Sequence, residues 1–290
     1  MSGLWVAGRA ECGLTRRHRL ARRRSRPAAS GTAFTGGPLP PDVQFVGYDT
    51  AGPGLFLASD GDVEYVSVEP GDRLRYTLGD RHCAGVVVDD EHRACGAETV
   101  PYCRDHRSTW VCAKCTGTCL KDEMDCHDPH AVYLAAFAPD VFKVGVTKEW
   151  RLETRLREQG ADRGAHLETV ANGRIARERE AGLAESIPDR VRVPTKRAGL
   201  HRDVDDDAWE SLCAAFDVRA RFDFDYGLGL ESQPVDERIA TGVVRGVQGR
   251  LLVLDHAGST YAVDLRDLVG HEVTAEATTR DVQSSLGAWG

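Results

Sequence analysis

The chain has 290 residues, 41% of them apolar, with 45 Asp and Glu against 37 Lys and Arg. That length and apolar share support two or three small packed domains and exclude a wholly disordered protein. No apolar run approaches the ~18 residues that span a bilayer, and the N-terminus lacks the apolar stretch of a signal peptide, so the sequence predicts a cytoplasmic protein with no membrane partner.

Residues 1–26 carry eight Arg and one acidic residue, so the other 264 residues hold a charge of −15 against −8 for the whole chain. With the Gly- and Pro-rich stretch "GTAFTGGPLPPD" that follows, residues 1–42 read as an Arg-rich disordered extension to which no function is assigned. Only five basic residues of the chain are Lys: Lys114, Lys121, Lys143, Lys148 and Lys196. Scarce Lys together with acidic runs such as "DVDDDAWE" (203–210) resembles the composition of proteins from salt-loving, halophilic microbes.

From Val43 short apolar segments alternate with Gly, Pro and Asp punctuation, which predicts a small antiparallel β-module over 43–82. Residues 83–130 have little apolar periodicity and are dominated by Cys and His, so a metal is expected to replace the core there. Residues 131–232 read as an α/β domain in the order strand, strand, helix, strand, helix. The first helix covers about 148–159 and the second 173–187, with a further acidic helix near 204–216. A last run of alternating strands in 233–290 predicts an SH3-like β-module. The expected fold class is thus α+β: a zinc-stapled module followed by an α/β domain, flanked by small β-modules.

Dense Cys in a chain without secretory features points to metal rather than disulfides, and thiolate with imidazole in tetrahedral geometry suits Zn²⁺. Two closed structural sites are the simplest partition. Cys83, Cys95, Cys103 and His106 form one; Cys112, Cys115, Cys119 and Cys126 form the other, with His130 as the alternative fourth ligand. A single site joining Cys83 and Cys95 to Cys112 and Cys115 stays open, so one or two zinc ions are expected. An all-Cys iron–sulfur cluster fits less well because it leaves the His positions without a role. Cys12 and Cys213 read as unligated thiols.

The stretches "CAKCTGTCL" (112–120), "PHAVYLA" (129–135), "KVGVT" (143–147), "TRLREQGA" (154–161) and "AGLAE" (181–185) resemble the uncharacterised domain of unknown function 2797 family. The order of elements is also similar to the GIY-YIG nuclease fold. There, a tyrosine in each of two strands, an arginine on the next helix and a glutamate on a later helix form the site. The resemblance implies a GIY-YIG-like core in which Tyr133 orients or deprotonates water, Arg155 clamps phosphate and Glu185 binds Mg²⁺. Lys143 stands where the second tyrosine is expected, Arg151 rivals Arg155, and the asparagine common in such sites has no counterpart.

The expected function is therefore Mg²⁺-dependent endonuclease cleavage of DNA or RNA, with structural zinc. A zinc-stapled nucleic-acid-binding protein without hydrolysis, in which Trp110 and Trp150 stack on bases, is the alternative, and a protein-interaction scaffold is the third reading.

Overall fold

The computed structural model describes residues 43–107 and 127–278. The alternating N-terminal segments form strands β1 (Gln44–Asp49), β2 (Gly54–Ser59), β3 (Asp62–Ser67) and β4 (Arg73–Arg81), and the Cys-containing stretch adds a short hairpin of β5 (Val86–Val88) and β6 (Glu91–Arg93). The α/β part follows as β7 (His130–Phe137), β8 (Val141–Lys148), a 3-10 turn (Glu149–Arg151), α1 (Leu152–Gln159), β9 (Arg163–Val170), α2 (Gly173–Leu183), α3 (Val193–Gly199), α4 (Asp206–Cys213) and β10 (Ala220–Asp223). The chain then returns to β-structure with β11 (Val235–Asp236), β12 (Ala240–Gln248), β13 (Leu251–His256), β14 (Ser259–Asp264), the short helix α5 (Leu265–Leu268) and β15 (His271–Thr274). No helix among the described residues is long and apolar enough to cross a membrane.

The described strands of the stretches 43–82 and 233–290, which the sequence presents as two modules, lie in one nine-stranded sheet from Gln44 to Thr274, in the order β11-β14-β13-β12-β4-β15-β1-β2-β3. β4 pairs with β12 on one side and β15 on the other, and β15 in turn pairs with β1. Leu55 and Leu57 of β2, Leu74 of β4, and Leu252 and Leu254 of β13 all enter one core cluster, so the sheet curls until strands distant in its order face each other. Local alternation predicts such strands, but β1 finds a partner more than 200 residues away by register (Gln44 opposite Glu272), a pairing that no local signal encodes.

The second sheet, β10-β9-β7-β8, is antiparallel, with β7 inside it. β7 reads "HAVYLAAF" because both of its faces are covered. Val132, Leu134 and Ala136 pack on Trp209 and Cys213 of α4, whereas Ala131, Tyr133, Ala135 and Phe137 pack on Leu152 and Leu156 of α1. Asp205 caps α4 by accepting from the Ala208 amide, and Asn172 caps α2 by accepting from the Ile175 amide. α1 ends at Gly160, which adopts a left-handed conformation (φ 69°) and lies against Gln248 and Gly249 in the β12–β13 turn. The Gln248 side-chain amide donates to the Gly160 carbonyl (3.0 Å) and to Asp162 (2.8 Å), which joins the two sheets.

Candidate functional site and metal centre

Tyr133 sits in β7 directly opposite Gly145 of β8. A Cβ on Gly145 would lie 2.6 Å from the Tyr133 ring tip, so the glycine of "KVG" is the gap across which the ring lies. Lys143 is opposite Ala135, and since side chains alternate with period two it shares the face of Tyr133 and Ala135. α1 crosses that face and brings the Arg155 charge to bear on the Tyr133 hydroxyl, while Gln159 donates to the same oxygen at 2.5 Å. The ring is 1% exposed. Burial first, and the carboxylate of Glu180 among the charges, push the Tyr133 hydroxyl above its ordinary pKa, so it is a neutral phenol.

Lys143 is held at about 8, mainly by burial and then by the repulsion of Arg155. Glu180 and Asp189 oppose that shift. Tyr133, Lys143 and Arg155 are therefore brought together. Glu185 is not: α2 ends at Leu183, the amides of Ser186 and Ile187 fold back to the Leu183 carbonyl, and Glu185 is exposed in that turn rather than on a helix reaching 187.

Glu180 is the carboxylate whose charge acts on both Tyr133 and Lys143. It is 15% exposed, accepts from Arg177 at 2.6 Å, and continues the inward stripe of Gly173, Ala176 and Leu183 along α2. That i, i+3, i+7, i+10 spacing is the sequence signal that separates Glu180 from Glu178 and Glu185. Arg151 turns instead to Glu158 (2.6 Å), which also holds Arg155 at 3.3 Å. Trp150, next to Arg151, is 57% exposed; Trp110 lies outside the described residues.

The ligand atoms of Cys83, Cys95, Cys103 and His106 all lie within 4.8 Å of one another. The β5–β6 hairpin returns the chain so that Cys95 meets Cys83. Gly85 (φ 59°) permits the return, since a Cβ there would meet the Arg93 carbonyl at 2.0 Å. The Cys83 and Cys103 sulfurs are each 3.4 Å from His106 Nδ1, close to the roughly 3.6 Å that a tetrahedral ion with Zn–S and Zn–N arms imposes. The Cys103 amide donates to the Cys83 sulfur at 3.2 Å, and the amides of His106 and Asp105 favour the Cys103 thiolate. The His82 ring, bonded to the Cys95 carbonyl at 2.9 Å and to Glu272 at 3.2 Å, ties this centre to β15.

These residues fit a metal such as zinc by number, type and spacing. His130 is apart from them, bonded through Nδ1 to the Asp128 carbonyl at 2.7 Å. Cys112, Cys115, Cys119 and Cys126, with Cys12, lie outside the described residues. Cys213 is buried in α4 against the core of β7.

No curated protein and no solved structure matches the chain. Residues 95–223, which include Cys95, Cys103, His106 and the whole Tyr133 cluster but not Cys83, match the model of a family described as "Protein of unknown function (DUF2797)", which supports placing this stretch in that family.

Proposed function

We propose that the chain is a nucleic-acid phosphodiesterase of the GIY-YIG-like kind, with Tyr133, Lys143, Arg155 and Glu180 at its centre and zinc as a structural ion on Cys83, Cys95, Cys103 and His106. The observation that carries the reading is the meeting, on one face of β7 and β8, of a phenol, an amine and a guanidinium from three different elements, with the Glu180 carboxylate of α2 acting on the phenol and the amine through its charge.

Each group suits a part of the chemistry. Arg155 offers a planar fork to phosphate oxygens. The neutral Tyr133 phenol donates a hydrogen bond and orients water or phosphate; it does not act as a phenolate. Lys143, in the position of the expected second tyrosine, titrates near neutrality and so suits proton transfer from the attacking water. Mg²⁺, when bound, supplies charge neutralisation to the phosphodiester, and Glu180 takes the ligand role that the sequence reading gives to Glu185. Cys83, Cys95, Cys103 and His106 would hold zinc with four protein ligands, which would leave no position for substrate.

One observation favours a second reading, nucleic-acid binding without hydrolysis: Tyr133 is enclosed, whereas Arg155 and Trp150 present an accessible guanidinium and indole. The experiment is cleavage of a panel of single-stranded, branched and duplex DNA and structured RNA in high KCl, with and without Mg²⁺. Cleavage that requires Mg²⁺, is lost in Glu180→Gln and persists in Glu185→Gln supports the enzyme. Absence of cleavage by folded, zinc-loaded protein, with binding that falls in Arg155→Ala, establishes the second reading instead.

A further inference from the structure

α3 approaches the β7–β8 turn without clearance. A Cβ on Gly199 would lie 1.8 Å from the Ala138 carbonyl oxygen, so the helix comes this close only because that residue is glycine. The approach carries Lys196 inward beneath Phe137, with Nζ 4.2 Å from the ring centroid. The ammonium donates to the main-chain carbonyl of Gln159 at 2.7 Å, and the side chain of the same Gln159 donates to the Tyr133 hydroxyl at 2.5 Å. Lys196 is thus two hydrogen bonds from the centre of the site, on an element to which no site residue has been assigned.

The charges around it are mostly of its own sign. Lys143, Arg250 and Arg155 repel it, and Asp162 is the attractive carboxylate. Asp162 is itself engaged by the Ala138 amide (2.8 Å) and by Gln248 (2.8 Å). Among the described residues neither Lys143 nor Lys196 makes an ion pair within 4.0 Å, whereas Lys148 pairs with Asp128 at 2.5 Å. A chain that uses Lys only five times therefore keeps two of them half-buried and without an ion pair along one face of β7, Lys143 on the face of Tyr133 and Lys196 against Phe137. Desolvating one amine without a counter-charge is unfavourable, and desolvating two together is more so; an oxyanion between them relieves both.

We propose that Lys196 is a further ligand-contacting residue of this site, an ammonium from α3 that joins Lys143 and Arg155 around a phosphoryl group of the substrate. The proposal rests on the phosphodiester reading and extends it by a residue from outside the hairpin and α1. Burial and the repulsion of Lys143 hold Lys196 at about 7, as expected of an amine that awaits an anion.

The test uses full-length, zinc-loaded protein with ¹³Cε-labelled lysine, assigned with Lys143→Arg and Lys196→Met. It is titrated in separate arms with a short single-stranded oligonucleotide and with inorganic phosphate. The expected result is movement of the Lys143 and Lys196 signals and a quiet Lys148. Lys196→Met should weaken binding about tenfold, the loss of one charge-assisted contact, and Lys196→Arg, which retains charge and length, should recover part of it. A response to the oligonucleotide alone identifies the phosphoryl group as part of a nucleic acid; a response to phosphate alone supports the oxyanion contact and assigns it to a small phosphate. If Lys143 moves while Lys196 does not, and Lys196→Met binds as wild type, Lys196 is only a strut under Gln159 and the proposal fails while the phosphodiester reading stands. If neither signal moves in either arm, both fall.

Discussion

Replacing Gly145 with Ala tests whether the strand pairing is built around the Tyr133 ring. The added Cβ would sit 2.6 Å from both Cζ and Oη of Tyr133 and 3.1 Å from Cε2, whereas carbon atoms pack best at about 3.5–4.0 Å. The ring tip must therefore retreat by about 1 Å. It cannot swing outward, because the side chain is 1% exposed and walled by Leu152 and Leu156. Overpacking of this sort costs about 1–3 kcal/mol, and loss of the Gln159 hydrogen bond adds about 1 kcal/mol. Urea denaturation of Gly145→Ala should report a loss of about 2–4 kcal/mol. In a Tyr133→Ala background the same change meets no ring and should be neutral or slightly stabilising, since Ala suits a strand better than Gly. The cycle then gives a coupling of about 2 kcal/mol or more. A coupling below about 0.5 kcal/mol would refute the idea that Gly145 exists to clear the tyrosine.

Other outcomes follow from the same geometry. Lys143 has a folded pKa of about 8, lowered from 10.5, so the unfolded chain binds its proton more tightly and stability from this group rises with pH between those values. Wild type should gain about 1 kcal/mol from it between pH 7 and pH 9 in denaturation curves, and Lys143→Met should lose that gain; equal slopes in the two proteins would contradict the burial of the charge. Chelation, or Cys83→Ser, should release metal measurable by mass spectrometry and remove a sizeable part of the roughly 10–16 kcal/mol that thiolate zinc sites supply. An unchanged melting temperature after chelation would count against a structural metal. Trp150→Ala should weaken single-stranded nucleic-acid binding by about 1–3 kcal/mol without changing stability, as read by fluorescence anisotropy; unaltered affinity would remove Trp150 from the surface. Gly249→Ala places a Cβ 2.6 Å from the Gly160 amide at a positive φ, and thermal melting should show about 1–3 kcal/mol of destabilisation, or else the two sheets are less tightly joined than Gln248 implies.

The parts legible in the sequence are those whose signals are local. The Pro-Asp turn between two apolar runs gives β7 and β8, and Tyr133 with Lys143 on one face follows from period two. Cys103 and His106 lie three positions apart in a single turn, and Cys83 and Cys95 flank one short hairpin, so their spacing already suggests a shared ion. Glu180 was within reach too, through the stripe it continues with Gly173, Ala176 and Leu183, but Glu185 matched the motif order and lies beyond a helix stop that no Gly or Pro marks at Leu183 itself. Lys196 and Gln159 were out of reach in another sense. Their meeting depends on α3 docking against Ala138, and only the scarcity of Lys hinted that residue 196 is unusual.

The shared nine-stranded sheet also has a consequence for the order of events during synthesis. β1 to β4 leave the ribosome first but lack the neighbours on both flanks of β4 until β12 and β15 are made, while β7, β8, α1 and β9 contact one another within about 40 residues of chain. The α/β layer can therefore form early, and the sheet that precedes it in the chain must wait for the last strands. Until β15 inserts between β1 and β4, two strand edges stand open beside apolar side chains such as Phe45 and Leu74. An interrupted translation product ending before residue 271 would expose those edges, and its characteristic failure would be self-association rather than simple unfolding.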